Sequence, residues 1–266
     1  MRYMDPRKQQ EIQHYDSRAE RWKANPSKTK WNTDVHVIAH DLFLSYNFCN
    51  EWLKKHSKNK KLLDLGCGTG IHSILPAREG AQVIGIDLSQ KSLDIAKERA
   101  TREGLQNQIQ FIQMDGESLT FPDKTFDLIF DGGTFSSIDI QKTIPELARV
   151  LKPTGYLLGI ETLGHNPLAN LKRRLNVARG TRTSWAAEHI FLQKDFTQLQ
   201  RYFGHIEKHY FHLLSLFALP FSKLPGGTFL FKTLDSLDSY LLRIPFLQKY
   251  AFKTVFICSE PHDVPI

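Results

Sequence analysis

The sequence predicts an α/β fold, a doubly wound and mostly parallel sheet of seven strands with helices on both faces. Between residues 59 and 162, short apolar runs alternate with stretches of helical pattern, as in the strand–helix–strand units of a parallel sheet. The first of these runs ends in closely spaced glycines and the next three end in acids. With 266 residues, 41% of them hydrophobic, the chain is long enough for one large α/β domain.

The first predicted strand delivers its end to a glycine turn, in the stretch K-L-L-D-L-G-C-G-T-G that starts at Lys61. Glycine lets the backbone adopt unusual conformations and approach a ligand closely, and strand ends of this kind bind nucleotide-like ligands. The spacing of Gly66, Gly68 and Gly70 differs from the dinucleotide pattern G-x-G-x-x-G, and no Lys-Ser/Thr pair follows, which excludes a P-loop. A carboxylate at Asp64 disfavours a pyrophosphate and suits a ligand with an ammonium group.

The following strands are predicted at Gln82–Asp87, Ile109–Asp115 and 125–131, and each ends in an acid. A helix from Ser89 to Glu103 lies between the first two, with Ser89 as its cap and Gly104 as its end. The stretch 147–160 is typical of a helix end, a Pro/Gly turn and a fifth strand. Because parallel strands present their carboxyl ends at one edge, the glycine turn and the acids are expected to converge there.

In this order, from about residue 15 to residue 160, the elements resemble the class I (Rossmann-like) S-adenosylmethionine-dependent methyltransferases of the small-molecule type. The resemblance implies S-adenosylmethionine as cofactor, Asp87 on both ribose hydroxyls, and the residue at Asp115 near the adenine amino group. Alternatives are a nucleotide-binding relative or a degenerate member. The residues that the resemblance assigns to the cofactor are Asp64, Gly66, Cys67, Gly68, Gly70, Asp87, Leu88, Asp115, Gly116, Glu117 and Asp131.

The chain is interpreted as a single methyltransferase domain, residues 1–266, in three parts. Residues 1–58 form N-terminal helices, 59–162 the cofactor-binding core, and 163–266 the acceptor side and C-terminal part. In the first helix, predicted at about residues 6–23, Tyr15 and Trp22 either close the pocket as an apolar lid or dock the helix on the body. A second helix is predicted from about Asp34 to Lys55, with apolar residues at helical spacing.

The segment after Ile160 leaves the fifth strand at its carboxyl end, so it is placed to build the acceptor pocket. A hydroxyl or phenol acceptor needs a base, for which His165 and His189 are candidates, with Glu161 orienting or replacing them. The alternative for His165 is a turn cap. An acid-free stretch of basic residues follows, which either binds an anion or forms a solvated helix face. Its members are Lys172, Arg173, Arg174, Arg179 and Arg182.

A strand pair is predicted at about residues 206–211 and 251–258, with a helical, Leu/Phe-rich insertion between the two strands. The insertion has three interpretations: an acceptor funnel, a surface that dips into a bilayer interface, and a subdomain that covers the sheet edge.

The formal net charge of +7 is moderate, and the three scattered cysteines predict neither a disulfide framework nor a metal site. The N-terminus has no signal-peptide pattern and no run is long enough to span a membrane, so a cytoplasmic enzyme is expected, with peripheral membrane contact left open.

We therefore expect methyl transfer to oxygen or carbon of a small molecule that is lipid-like, anionic, a glycan or a secondary metabolite. The alternatives are an RNA or protein methyltransferase, although nucleic acid is disfavoured because no RNA-binding module is present, and a non-catalytic cofactor-binding homologue. The sequence leaves the oligomeric state open.

Overall fold

The computed structural model describes residues 5–24, 44–179, 182–222 and 224–262, which include a sheet of seven strands. The strands are Lys61–Leu65 (β1), Gln82–Asp87 (β2), Ile109–Gln113 (β3), Phe126–Asp131 (β4), Leu151–Thr162 (β5), Phe203–Phe211 (β6) and Lys253–Pro261 (β7). The helices in the first part of the chain are Pro6–Ala24 (α1), Leu44–His56 (α2), Ile74–Arg78 (α3), Gln90–Arg102 (α4), Ile140–Val150 (α5) and Pro167–Ala178 (α6). Later in the chain lie Ser184–Glu188 (α7), Phe196–Gln200 (α8), Gly227–Leu241 (α9) and Pro245–Gln248 (α10).

The sheet order is β3-β2-β1-β4-β5-β7-β6, and only β7 runs against its neighbours. The predicted seven-stranded, mostly parallel sheet is thus confirmed. β1 is the third strand from one edge, paired with β2 on one side and β4 on the other. The carboxyl ends of β1, β2 and β4 therefore meet at one edge of the sheet, as expected for an open parallel sheet.

Apolar residues pack on both faces of the sheet, in two separate clusters. Leu63 and Leu65 of β1 lie in the cluster that includes residues of α5 and α8. Leu62 lies in the other cluster, with residues of α2, α3 and α4. The alternation follows from the two-residue period of a strand, and burial on both faces explains the continuous apolar runs in the sequence.

The predicted helix at 89–103 is confirmed as α4. The Ser89 side chain accepts a hydrogen bond from the Ser92 amide and so caps its first turn. The second predicted helix corresponds to α2, which begins at Leu44 in the described residues. The predicted part from residue 34 to 43 lies outside the described residues.

The predicted Pro/Gly turn before the fifth strand is wrong. α5 ends at Val150 and β5 begins at Leu151, so Pro153 and Gly155 lie within the strand. The pairing of β4 with β5 shifts register between Phe126 and Leu128. Proline has no amide hydrogen to donate to a neighbouring strand. A shift of register is a place where a strand can accommodate it.

The predicted strand pair corresponds to β6 and β7, and the insertion between them emerges at the edge that carries the glycine turn. Lys253, the first residue of β7, pairs with Thr162 at the end of β5 and with Phe211 at the end of β6. The chain therefore leaves the sheet after β6 and returns to it on the side where β5 ends. The insertion therefore begins and ends on the side of the fold where β1 and β4 end.

Candidate active site

The turn after β1 is held in a conformation that favours glycine. Gly66 and Gly68 have φ angles of 60° and 52°, in the left-handed region. A Cβ atom on Gly66 would lie 2.4 Å from the Thr134 hydroxyl oxygen, so the position has no room for a side chain. A Cβ atom on Gly68 would meet nothing within 4 Å, so open space borders the backbone there.

Asp87, at the end of β2, is fixed beside this turn by two backbone amides. Its Oδ2 accepts a hydrogen bond from the Gly68 amide at 2.9 Å, and its Oδ1 accepts one from the Ser89 amide at 2.8 Å. Burial raises the pKa of Asp87, while these two hydrogen bonds act in the opposite direction. The arrangement aims a carboxyl group at the space next to Gly68.

A cavity of about 290 Å³ opens at this point. Side chains and backbone of the β1 turn, the ends of β2 and β3, the loop after β4 and helix α1 surround it. The lining residues are Glu11, Ile12, Tyr15, Arg18, Ala19, Trp22, Leu65, Gly66, Cys67, Gly68, Thr69, Ile71, Ile86, Asp87, Leu88, Ser89, Ser92, Met114, Gly116, Gly132, Gly133, Thr134, Ser137 and Ile138.

Helix α1 is attached to the cavity rim by charged and polar contacts. Arg7 and Lys8 at its beginning form ion pairs with Glu117, and Lys8 also pairs with Asp115. Although burial opposes ionisation, the hydrogen bond from Lys8 lowers the pKa of Glu117. The Tyr15 hydroxyl lies 3.3 Å from Ser137 Oγ in the loop after β4. These contacts hold the inner face of α1 against the cavity.

Glu11 is a cavity-lining carboxyl group that the sequence analysis did not identify. Its Oε1 accepts a hydrogen bond from the Thr183 hydroxyl, which lies in the segment after β5. Burial raises the pKa of Glu11, while the Thr183 hydrogen bond and the charge of Arg7 act in the opposite direction. The only sequence signal was an acid on the helical face that also carries Tyr15 and Trp22.

The structure brings together eight of the residues predicted to hold the cofactor. Tyr15, Trp22, Gly66, Cys67, Gly68, Asp87, Leu88 and Gly116 line the cavity. Asp64, Gly70, Asp115, Glu117 and Asp131 are outside its lining. Asp64 is buried and accepts a hydrogen bond from Ser73, and burial raises its pKa to about 7. A Cβ on Gly70 would meet Phe111 and Ala96 at under 3 Å, so packing alone requires glycine there.

Asp131 and Glu161 form a buried acidic pair next to the cavity. Asp131 Oδ1 accepts from the Thr134 amide at 2.8 Å, and Glu161 Oε1 accepts from the Phe135 amide at 2.7 Å. Burial and the charge of Glu161 raise the pKa of Asp131 well above its ordinary value. Burial also raises the pKa of Glu161, against the charge of Lys253. The pair therefore shapes the loop after β4, which supplies Thr134 to the cavity.

The two predicted catalytic histidines are exposed and are not part of the cavity lining. His189 stacks on Trp185 with ring centroids 3.5 Å apart, and its Nδ1 lies 3.0 Å from the Trp185 carbonyl oxygen. His165 lies just before α6. The catalytic role of these residues and of Glu161 stays a prediction.

The basic stretch does not form one exposed surface. Arg173 is buried, and its Nη2 donates to the Leu163 carbonyl at 2.9 Å. Arg182 donates to the Ala186 carbonyl and to Ser136 Oγ. Both guanidinium groups therefore hold the segment after β5 in place, while Arg174 and Arg179 are exposed.

The described residues contain no group of three or more His, Cys, Asp or Glu residues arranged to hold a metal ion. In the same ranges, no helix is both long enough and apolar enough to cross a bilayer.

Residues 63–159 match the family described as a methyltransferase domain. Curated relatives include proteins named demethylmenaquinone methyltransferase from Lactobacillus johnsonii, 37% identical over 123 residues, and Bacteroides fragilis, 35% identical over 113 residues. The matches cover 42% and 41% of this chain and 50% and 46% of the relatives. The chain thus spans about half the length of the curated relatives it matches.

Solved structures of the same fold cover more of the chain. Geranyl diphosphate C-methyltransferase from Streptomyces coelicolor matches with a TM-score of 0.61 and 15% identity, over 96% of this chain and 98% of that one. An N-methyltransferase of Haemonchus contortus, determined with S-adenosylhomocysteine, matches with a TM-score of 0.58 and 21% identity, over 81% and 53% of the two chains.

Proposed function

We propose that the chain, whose residues 63–159 match a methyltransferase domain, uses S-adenosylmethionine to methylate an apolar small molecule on carbon or oxygen. The observation that carries the proposal is the Asp87 carboxyl group fixed beside the open space at Gly68. A carboxylate with free lone pairs can accept hydrogen bonds from two ribose hydroxyls.

The residues present fit S-adenosylmethionine. The backbone of Gly68 borders open space, and the Asp87 carboxyl group provides a hydrogen-bond acceptor beside that space. Apolar side chains of Ile86 and Met114 are available to flank an adenine ring, and Trp22 lies on the α1 side of the cavity. Asp64, whose charge was expected to suit the ammonium group, is buried behind the turn. Its proposed role is therefore to hold the turn through Ser73.

When bound, the cofactor supplies a methyl group already activated by a sulfonium. The protein has to hold donor and acceptor in line and keep water away. Helix α1 suits this task because it lines the cavity with Ile12, Tyr15 and Trp22 and is fixed at its start by Arg7 and Lys8. We therefore propose α1 as a lid.

Glu11 is our candidate for the base that removes a proton from the acceptor. It lines the cavity, and its raised pKa moves it towards the range in which a carboxylate can accept a proton near neutral pH. Thr183 orients its carboxyl group from the segment predicted to form the acceptor side. His165 and His189, predicted from the sequence, are the competing candidates.

The names of relatives support an apolar acceptor. Curated relatives include proteins named demethylmenaquinone methyltransferase, and one protein of the same fold is named geranyl diphosphate C-methyltransferase. The alternative of an RNA or protein acceptor is less well supported, because Arg173 and Arg182 of the basic stretch bind backbone carbonyl groups of this chain.

The proposal is tested by incubating the protein with methyl-labelled S-adenosylmethionine and demethylmenaquinone in detergent, followed by mass spectrometry of the extracted quinone. A bacterial lipid extract and total RNA serve as parallel acceptors. Label in the quinone or in another apolar lipid is expected. Label in RNA alone, or no transfer to any acceptor despite cofactor binding, would contradict the proposed acceptor class.

A further inference from the structure

Helix α9 presents an unusual distribution of side chains. Its buried positions include two acids, Asp235 and Asp238, whereas large apolar side chains occupy its exposed positions. Phe229 is 77% exposed and Tyr240 is 62% exposed. A surface helix in water normally shows the reverse arrangement, with charges outside and an apolar stripe inside. Phe231 is also buried, so α9 turns one ring and two acids inward and leaves four large apolar side chains, Phe229, Leu230, Leu237 and Tyr240, exposed among polar residues.

The buried acids are held by specific partners on the inner side. Asp238 accepts hydrogen bonds from the backbone amides of Leu213, Leu214 and Ser215, at 2.7 to 3.0 Å. Asp235 lies 3.0 Å from Nδ1 of the buried His212. These contacts fix the rotation of α9 about its axis, so the outward position of its apolar residues is built into the fold.

The exposed apolar residues extend beyond α9 into one continuous part of the chain. Thirteen large hydrophobic residues are exposed in the described ranges, and nine of them lie between residues 217 and 246. We call these nine the apolar face. Its members are Phe217, Phe221, Leu224, Phe229, Leu230, Leu237, Tyr240, Ile244 and Phe246. Concentrations of this kind mark interaction sites, whereas single exposed apolar residues are ordinary.

The exposed charges of the segment that carries the apolar face have one sign in the described residues. Asp235 and Asp238 are the only acids in the sequence between residues 212 and 252, and both point inward. Lys232 and Arg243 are exposed, and Lys249 lies over the Phe246 ring at 4.6 Å. Long basic side chains beside aromatic rings can keep their charges in the headgroup region while apolar groups enter the bilayer.

From this arrangement we infer that the apolar face docks on the surface of an anionic lipid bilayer. Its basic residues complement anionic headgroups, and the aromatic and leucine side chains enter the boundary with the acyl chains. α9 has 15 residues, and no described helix is able to cross a bilayer, so it lies in the plane of the interface. A second copy of the chain fits less well, because two identical faces would bring like charges together.

Docking here would place the cavity side of the fold towards the membrane. Residues 212–252 leave and rejoin the sheet beside the carboxyl end of β5, the edge that also carries the glycine turn. A lipid-like acceptor would then reach the protein from the bilayer rather than from water. The docking itself is independent of the reaction, so it stands even if the acceptor proves to be water-soluble.

The test is flotation of the full chain with vesicles, without cofactor or acceptor. Vesicles of phosphatidylglycerol and phosphatidylcholine are compared with vesicles of phosphatidylcholine alone. The triple variant Phe229→Gln, Tyr240→Gln, Phe246→Gln removes three exposed rings. The matched control is Leu171→Gln, Leu175→Gln, which removes two exposed leucines of α6. Circular dichroism and S-adenosylmethionine affinity establish that each variant is folded.

We expect the wild type and the α6 control to float with anionic vesicles, and the triple variant to lose at least about tenfold in affinity. Charge reversal at Lys232 and Arg243 should weaken binding to anionic vesicles in the same assay. The inference is overturned if the wild type does not bind anionic vesicles, or if the triple variant binds as the control does. It is also overturned if the protein forms a dimer that the triple variant abolishes while vesicles are not bound.

Discussion

The Asp87 carboxyl group accepts a hydrogen bond from the Gly68 amide at 2.9 Å, and this contact joins the ends of two neighbouring strands. The Gly68 amide is available because the residue has a left-handed backbone conformation. The position of the carboxyl group and the shape of the glycine turn therefore depend on each other. Both are expected to matter for binding of S-adenosylmethionine.

Replacing Asp87 by alanine should weaken S-adenosylmethionine binding by about ten- to a hundredfold. The variant loses the acceptor for the ribose and leaves the Gly68 and Ser89 amides without their partner, and hydrogen bonds to a charged group contribute about 1.5–3 kcal/mol. Titration calorimetry measures the effect. Asp94→Ala, an exposed acid on α4, is the control and should bind normally. Unchanged affinity in a folded Asp87 variant would remove the ribose role.

Gly68→Ala should reduce affinity more than tenfold, because a Cβ would occupy the space that a ligand needs and the left-handed conformation costs about 1–2 kcal/mol for an L-residue. Gly104→Ala is a closely matched control. Gly104 also has a positive φ and open space around its Cβ position, but it lies at the end of α4. Both variants should lose similar stability in urea unfolding, and only Gly68→Ala should lose affinity. Equal affinities would show that the open space at Gly68 is not used.

The buried carboxyl of Asp64 should give stability a distinctive pH dependence. Burial raises its pKa from an ordinary 3.8 to about 7, so the folded state holds a proton that the unfolded state has lost between these values. The contribution of Asp64 to the free energy of unfolding should therefore fall as pH rises from about 4 to 7 and level off above 7. Urea unfolding of the wild type and Asp64→Asn at several pH values gives the difference. A difference that does not change with pH would contradict the raised pKa.

The ion pairs of Lys8 should slow escape of the bound cofactor, because they fix the start of α1 at the cavity rim. Lys8→Met should raise the dissociation rate several-fold, measured by stopped-flow fluorescence of tryptophan. Lys23→Met breaks another ion pair of α1, with Glu98, in which both side chains are about half exposed. Exposed pairs of this kind contribute little, so the rate should stay near that of the wild type. The lid role fails if both variants release the cofactor equally fast.

Glu11→Gln should lower the turnover rate by about a hundredfold or more, as expected for loss of a general base, with cofactor affinity within about twofold. Glu20→Gln, an exposed acid on α1, is the control and should be fully active. His165→Ala and His189→Ala belong in the same assay, because the sequence predicts a base at these positions. Normal turnover of Glu11→Gln with loss in a histidine variant would assign the base to that histidine.

The parallel core could be predicted because its signals are local. β1, β2 and β4 are mainly apolar runs; β1 leads into the glycine turn, and β2 and β4 end in Asp87 and Asp131. The sequence predicts a turn at Pro153 and Gly155. The prediction is wrong because a proline can lie within a strand where the pairing register shifts. The sequence alone does not show such a shift.

The limits of the site prediction have a similar cause. Gly70 belongs to the glycine pattern, yet Phe111 and Ala96 explain it through packing, and these residues are far apart in the chain. Glu11 was missed because its place in the cavity depends on how α1 docks, and its partner Thr183 lies in another part of the sequence. The outward position of the apolar residues of α9 likewise depends on contacts with residues 212–215.

The most direct measurement is a crystal structure of the protein soaked in S-adenosylhomocysteine. The ligand is predicted to lie beside Gly68, with both ribose hydroxyls donating to Asp87 and with α1 over it. Electron density for the ligand elsewhere, or an empty cavity at saturating ligand, would contradict the account.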